Sequence, residues 1–217
     1  MKRYLVVSIT LFFSCVSTLH VKSIEKISKI VSPVTMAYLL DTESIKINID
    51  WSVEKDLGRG DKKTIIGDYV GNDLRFGFRD SGLFSNVKRL RSIKLIRDTS
   101  LIVNSISTKF KIPQFTDTNL VKNDFLLIIS DLAIDDKVRV SAAALGLIPI
   151  VGVARTLLFS CNFIIYNIVS EKIVYIAQIQ SETKSDTPGI DLNTWQKAIN
   201  EFAGKILKKT VFKRMFY

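Results

Sequence analysis

The fold is decided by residues 124–180, DFLLIISDLAIDDKVRVSAAALGLIPIVGVARTLLFSCNFIIYNIVSEKIVYIAQIQ. Residues 125–129 are an unbroken apolar run, which predicts a strand buried on both faces. Residues 163–169 and 173–177 are rich in β-branched and aromatic side chains, which are typical of strands. Because only Ser170–Lys172 separate these two runs, they predict a tight hairpin.

Between the two parts of this stretch lies an uncharged apolar segment, residues 142–154. It is too short for a helical membrane span, and its glycines and proline argue against a regular helix. Three interpretations stay open: a buried connection under the sheet, a loop that contacts or enters a membrane or a partner, and part of a membrane-spanning hairpin contributed by each subunit of a ring. The residues predicted to contact a membrane or partner are Leu145, Leu147, Ile148, Ile150 and Val151.

The composition limits what the chain can be. It has 217 residues, 47% of them hydrophobic, which is enough for one domain with a sizeable core. Thirty-one Lys and Arg against 21 Asp and Glu give a net charge of +10, which favours anionic partners such as lipid or glycolipid phosphates. Two Cys and one His exclude a His/Cys zinc cluster and a disulfide-rich scaffold.

The inventory of reactive residues argues against catalysis. The sole histidine, His20, lies beside the predicted export signal, so no Ser-His or Cys-His arrangement is available. Gly58-Arg59-Gly60 has neither the spacing nor the lysine of a phosphate-binding loop. Two distant carboxylates, as in glycosidases, stay open. We expect a protein that is not an enzyme and holds no cofactor or metal.

The first 17 residues have the pattern of an export signal peptide. Lys2 and Arg3 precede an apolar segment of about ten residues. Residues 12–15, Phe-Phe-Ser-Cys, resemble a bacterial lipobox, in which the cysteine becomes lipidated. Two outcomes stay open: a lipoprotein anchored through Cys15, or a soluble exported protein cleaved near Ser17. Either outcome predicts the periplasm, the outer membrane or the cell surface, and argues against a nucleic-acid partner.

The rest of the chain predicts a tether and one α/β domain. Residues 18–40 form the tether, in which a helical spacing stops at Pro33. The domain is residues 41–217, with the apolar excursion at 142–157 and a C-terminal helix at 192–209. The other predicted elements are a half-buried strand at 44–53, a helix at 64–80, a strand at 83–87, a second helix from Asp98 to Pro113, a central strand at 123–134 and a turn at Asp135-Asp136.

Two surface motifs offer binding interpretations. The densest basic cluster predicts either a solvated face or a contact with anionic headgroups, and it consists of Lys88, Arg89, Arg91, Lys94 and Arg97. Arg59-Gly60-Asp61 is the tripeptide by which integrins bind some ligands, although a solvated loop before a helix explains it better.

Three motifs carry a resemblance to a known group of proteins. They are Ser81-Gly82-Leu83-Phe84-Ser85-Asn86-Val87 after a helix, Asp124-Phe125-Leu126-Leu127 in a strand, and the hairpin from Tyr166 to Val174. Together, over about residues 45–207, the chain resembles periplasmic lipoproteins related to the curli-secretion lipoprotein and to the N-terminal domain of the Tol-system propeller protein. The resemblance implies a two-layer α/β sandwich with helices on one face of a mixed, largely antiparallel sheet.

The resemblance also implies a protein that binds partners and has no shared catalytic residues. The leading hypothesis is a non-catalytic envelope lipoprotein that binds another envelope protein or an anionic lipid or glycolipid. The alternatives are an oligomerising subunit of a secretion or transport assembly, and a surface-exposed protein that binds the host.

Overall fold

The computed structural model describes residues 21–23, 34–49, 60–91, 95–103, 106–113, 122–145, 148–185, 189–208, 210 and 212. Within them, only the backbone is described for residues 21–23, 95–113 and 139–152. The predicted signal peptide with Cys15, and His20, lie outside the described residues.

The described elements confirm most of the predicted ones, including the helices at 64–80 and 192–209 and the strand at 83–87. In chain order they are β1 (Val21–Ser23), β2 (Val34–Leu40), β3 (Lys46–Asn48), α1 (Lys62–Arg79), β4 (Phe84–Leu90), β5 (Leu95–Val103), β6 (Ile106–Pro113), β7 (Phe125–Leu145), β8 (Ile148–Asn167), β9 (Lys172–Lys184) and α2 (Leu192–Lys208).

A seven-stranded mixed sheet organises the domain. Its order is β1-β9-β8-β7-β2-β4, and β3 also pairs with β7. The long ladders of β8 with β7 and β9 are antiparallel, as is that of β1 with β9. β2 pairs parallel with β4 and β7, and β3 is parallel to β7. Both helices pack on one face of this sheet, so the predicted fold class is confirmed.

Residues 34–40 do not belong to a tether, contrary to the prediction. They form β2, which lies between β7 and β4 and pairs with both. Met36 and Tyr38 are fully buried. The prediction was wrong because a strand buried on both faces of a sheet has no polar alternation. The helical spacing itself stops at Pro33, directly before β2 begins.

Close contacts at glycines hold the helices to their neighbours. A Cβ atom on Gly67 of α1 would lie 2.8 Å from Cγ2 of Thr42. A Cβ atom on Gly77 would lie 2.9 Å from Cβ of Ala203 in α2. These glycines therefore weaken the intrinsic helix propensity of α1 but allow it to approach both the sheet and α2.

A second apolar cluster lies on the sheet face opposite the helices. It includes Leu39, Leu126, Ile128 and Ile164, all buried. The connection between the parallel strands β2 and β4 contains α1, which packs on the first face. The connection from β4 to β7 leads back past β2, in the opposite direction along the sheet. The right-handed rule for such connections therefore predicts that the connection containing β5 and β6 passes over the second face.

The predicted helix from Asp98 to Pro113 is wrong, because these residues lie in the antiparallel pair β5–β6. Its evidence was the spacing of Ile102, Ile106 and Phe110. A separation of four residues places side chains on one face of a helix and equally on one face of a strand. The β-branched residues in this segment favour the strand.

Candidate interaction surface

A two-stranded β-ribbon projects beyond the sheet. β9 pairs with β8 only up to Thr156↔Lys184, and β3 reaches β7 only up to Asp135. From Val138↔Arg155 to Leu145↔Ile148, β7 and β8 continue for eight further pairs. Within the described part of the chain no third strand accompanies them. At about 3.4 Å per residue, this ribbon is about 27 Å long.

The ribbon is apolar along its length. Residues 140–154 carry no charged side chain, and Ser141 is the one polar residue among them. Val138 and Val153 are the residues next to the part of the ribbon whose side chains are not described. Val138 is 52% exposed and Val153 is 47% exposed. Contiguous apolar surfaces on soluble domains are typical of sites that contact a partner or a membrane, so the ribbon is the candidate site.

Ion pairs fix the base of the ribbon on the domain. Arg155 Nη1 lies 2.9 Å from Asp136 Oδ2, and the Asp136 side chain is only 4% exposed. On the neighbouring residue, Lys137 Nζ lies 3.6 Å from Glu182 Oε1 of β9. Because the Asp136 carboxylate is buried, losing Arg155 would leave a buried charge without this partner. The two ion pairs therefore lie where the three-stranded part of the sheet ends and the ribbon begins.

The structure places four of the five predicted contact residues on this ribbon. Leu145, Ile148, Ile150 and Val151 lie in its strands, and Leu147 lies outside the described residues. Two of the three interpretations of this segment, a buried connection and a loop, do not match its backbone, which forms paired strands as in the third. Asp135 and Asp136 were expected to form a turn, but they lie in the β7–β8 ladder opposite Leu158 and Leu157. The chain bulges earlier, between Ser130 and Ala133.

One member of the predicted basic cluster is held by the domain itself. Lys88 and Arg91 are exposed. Arg97 belongs to β5, of which only the backbone is described, and Lys94 lies outside the described residues. Arg89 is a structural residue, and its side chain is 8% exposed. Its guanidinium donates to Asp68 Oδ1 at 2.9 Å and to Asn72 Oδ1 at 2.8 Å, which ties β4 to α1. The prediction of Arg89 as a headgroup contact is therefore wrong.

The integrin-like tripeptide has a structural explanation. Asp61 is the N-cap of α1, and its carboxylate accepts a hydrogen bond of 2.9 Å from the backbone N–H of Thr64. The Thr64 hydroxyl, then its N–H, holds the pKa of Asp61 below its usual value. Arg59 lies outside the described residues.

The described residues contain no cluster of three or more His, Cys, Asp or Glu side chains that could hold a metal ion. Cys161 is buried, as predicted, and burial raises the pKa of its thiol. In the same part of the chain, no helix is long and apolar enough to cross a membrane.

Sequence comparison finds no matching family model and no significant match among curated proteins. Solved structures match at low identity. A neuraminyllactose-binding hemagglutinin homolog from Helicobacter pylori is 13% identical, with a TM-score of 0.42, and the match covers 88% of this chain and 90% of that one. The PelC dodecamer from Paraburkholderia phytofirmans is 12% identical, with a TM-score of 0.39 and coverages of 87% and 94%.

A minor lipoprotein from Acinetobacter baumannii is 9% identical, with a TM-score of 0.32 and coverages of 81% and 90%. The structures that match therefore include a bacterial lipoprotein. Likenesses at this level do not assign a partner or an activity.

Of the three interpretations of the apolar segment only the hairpin included paired strands, and the sequence carried a signal that favours it. The uncharged run of residues 140–154 is flanked by Arg139 and Arg155, nearly symmetrically about Gly146-Leu147. Symmetry about a two-residue centre containing glycine is typical of a hairpin.

Proposed function

We propose that this chain is a non-catalytic exported envelope protein that binds the lipid bilayer of the envelope through its β-ribbon. The observation that carries the proposal is the ribbon itself, eight residue pairs of apolar strand that extend beyond a folded domain. The predicted export signal supports the compartment, and lipidation of Cys15 would add a second attachment. The resemblance to curli-secretion and Tol-system proteins stays a hypothesis, and it also implies an envelope protein.

The ribbon fits the interfacial region of a bilayer better than its hydrocarbon core. Strand edges that lack hydrogen-bond partners are costly in hydrocarbon, and the described residues supply no third strand to the ribbon. At the headgroup level, water and lipid oxygens can satisfy these edges while the apolar side chains enter the acyl boundary. The net charge of +10 adds attraction to anionic lipid.

The test is vesicle flotation of residues 18–217, which lack Cys15. In one variant, residues 140–153 are replaced by Asn-Gly, so that the pair Arg139↔Ala154 closes a short hairpin. Vesicles of zwitterionic lipid and of zwitterionic lipid with anionic lipid are compared at low and high salt. We expect the unmodified chain to float with both, and the shortened variant to lose most of this binding.

A charge-matched pair of variants controls for electrostatics. Ala143→Glu with Ile150→Glu places two charges in the ribbon, and Asn193→Glu with Gln196→Glu places two on exposed positions of α2. We expect only the ribbon variant to lose binding to zwitterionic vesicles. Binding restricted to anionic vesicles at low salt and unchanged by ribbon shortening would assign the contact to the basic surface and overturn the proposal. Absence of vesicle binding by every form would do the same.

A further inference from the structure

Among the described residues, no strand pairs with the outer edge of β7 in the ribbon. One hydrogen bond shows which backbone groups point towards that edge. The N–H of Ser185 donates to the carbonyl oxygen of Arg155 at 2.9 Å, so the backbone groups of Arg155 point away from β7. In antiparallel strands the N–H and C=O of one residue point the same way, and this direction alternates along the strand.

The continuous register from Val138↔Arg155 to Leu145↔Ile148 carries this phase to the tip. The backbone groups that point away from the partner strand are therefore those of Val138, Val140, Ala142 and Ala144 in β7, and of Pro149, Val151, Val153 and Arg155 in β8.

The two outer edges differ in their ability to pair. Pro149 falls at an outward position, so its missing N–H costs no bond between β7 and β8 but removes a donor from the outer edge of β8. The outer edge of β7 has no proline, and it carries no charged residue beyond Arg139. Proteins usually protect strand edges with prolines, charges or bulges, because a bare edge is a template for another strand.

We propose that two copies of this chain pair through the outer edges of their β7 ribbon strands, antiparallel, in a two-fold dimer. A second copy supplies a strand of the same length that is equally uncharged, as an isologous interface requires. This proposal goes beyond membrane binding and does not depend on it, since the edge uses backbone groups and leaves the faces of the ribbon available.

Charge favours the antiparallel arrangement. Each chain carries a net charge of +10, and none of it lies in residues 140–154. Antiparallel pairing places the two basic domains at opposite ends of a four-stranded ribbon about 27 Å long. That separation exceeds the Debye length of about 8–10 Å at physiological salt. Side-by-side pairing would instead bring the two basic domains together.

The test uses proline substitutions that spare the β7–β8 ladder. Ala142→Pro removes an outward N–H from β7, and Val151→Pro, directly opposite in register, removes one from β8. The strand predicted from sequence at residues 44–53 includes β3. At the register of β3, that strand would pair with β7 as far as residue 140, and Ala142 lies beyond this point. The two variants are matched in residue type, depth along the ribbon and distance from the domain.

Mass is measured for residues 18–217 by light scattering and native mass spectrometry over a range of concentrations, without lipid. We expect a dimer whose dissociation constant rises by about tenfold or more in Ala142→Pro, because the symmetric interface loses a donor from each copy. Val151→Pro should leave it unchanged. Circular dichroism and thermal unfolding show whether both variants keep the domain folded.

Each other outcome overturns the dimer. A monomeric unmodified chain excludes it, and so does a dimer that both variants or neither variant weakens. A larger assembly weakened by both variants would indicate head-to-tail pairing of β7 with β8. Vesicle flotation measures membrane binding, which is separate from dimer formation. A monomer whose vesicle binding depends on the ribbon would contradict the dimer and still support the proposed function.

Discussion

Thr35 and Asp124 hydrogen-bond each other reciprocally where the parallel strands β2 and β7 begin. Asp124 Oδ2 accepts from the backbone N–H and from the hydroxyl of Thr35, both at 2.7 Å, and the Asp124 N–H donates to Thr35 Oγ1 at 2.9 Å. The acidic residue of the Asp-Phe-Leu-Leu motif therefore has a structural role, which is to set the register between two central strands.

We predict that Asp124→Ala destabilises the domain by about 1–3 kcal/mol, because it removes a charged acceptor and leaves two partly buried donors of Thr35 without it. Thr35→Val keeps the backbone donor and loses the hydroxyl, so it should cost less. Urea unfolding followed by tryptophan fluorescence measures both. Equal midpoints for Asp124→Ala and the unmodified chain would contradict this role.

Gly71 and Gly204 are helical glycines with opposite predicted effects. A Cβ atom on Gly71 would lie 2.4 Å from Cζ of Arg89, whereas nothing lies within 4 Å of a Cβ atom on Gly204. Gly71→Ala must displace the guanidinium of Arg89 from α1, which we expect to cost about 1–3 kcal/mol. Gly204→Ala should instead stabilise the domain by about 0.5–1 kcal/mol, since alanine has the higher helix propensity.

The mechanism is checked in an Arg89→Ala background. There the alanine at position 71 meets no guanidinium, so most of its cost should vanish in a double-mutant cycle. A cost that persists without Arg89 would show that the carbonyl of Gly71, which accepts from the buried hydroxyl of Tyr38, is the sensitive group.

The elements that could be predicted from sequence are those whose pattern fits one period only. In α1, Ile66, Val70 and Leu74 form a stripe at helical spacing, and all three are fully buried. In β8 and β9, β-branched and aromatic runs on either side of a short polar turn leave no alternative to a hairpin. These segments required no knowledge of tertiary contacts.

Hydrophobic patterning alone could not select the ribbon from the three interpretations of this segment, because the information that distinguishes them lies in backbone pairing. An amphipathic strand alternates polar and apolar residues, but residues 140–154 are uncharged throughout and show no such alternation. The prediction for Arg89 as a headgroup contact was wrong for a different reason. A cation in an exposed-looking cluster on an edge strand is structural here because Gly71, 18 positions earlier, lacks a side chain and leaves room for the guanidinium.

The start of α2 gives a prediction on pH. The Thr194 hydroxyl and then its N–H donate to Asp191 Oδ1, at 2.6 and 2.8 Å, and they hold the pKa of Asp191 below 3.8, its usual value. Because the folded pKa is below the unfolded one, this carboxylate contributes stability above the unfolded pKa. That contribution is lost as the pH falls through the folded pKa.

We therefore expect Asp191→Ala to lower the melting temperature at pH 7, and the difference from the unmodified chain to shrink as the pH falls below 3.8. Asn193, in the first turn of α2, is exposed. Asn193→Ala should have little effect at either pH. A difference for Asp191→Ala that persists at acid pH would show that the cap does not act through its charge.

Phe212 joins the C-terminal segment to the core and gives the largest predicted effect. Its ring is fully buried and makes edge-to-face contacts with Phe84 of β4 and Phe125 of β7, at centroid distances of 5.1 and 5.4 Å. Phe212→Ala should cost about 3–5 kcal/mol, because it leaves a cavity between two sheet strands and the end of α2. Phe76→Ala is the matched control, since Phe76 is 47% exposed.

Both variants are measured by urea unfolding and by hydrogen exchange of the β4 amides. If Phe212 contacted a membrane and not the core, Phe212→Ala would unfold like Phe76→Ala and lose vesicle binding instead. A loss of stability with vesicle binding intact would assign Phe212 to the core and leave the ribbon as the membrane contact.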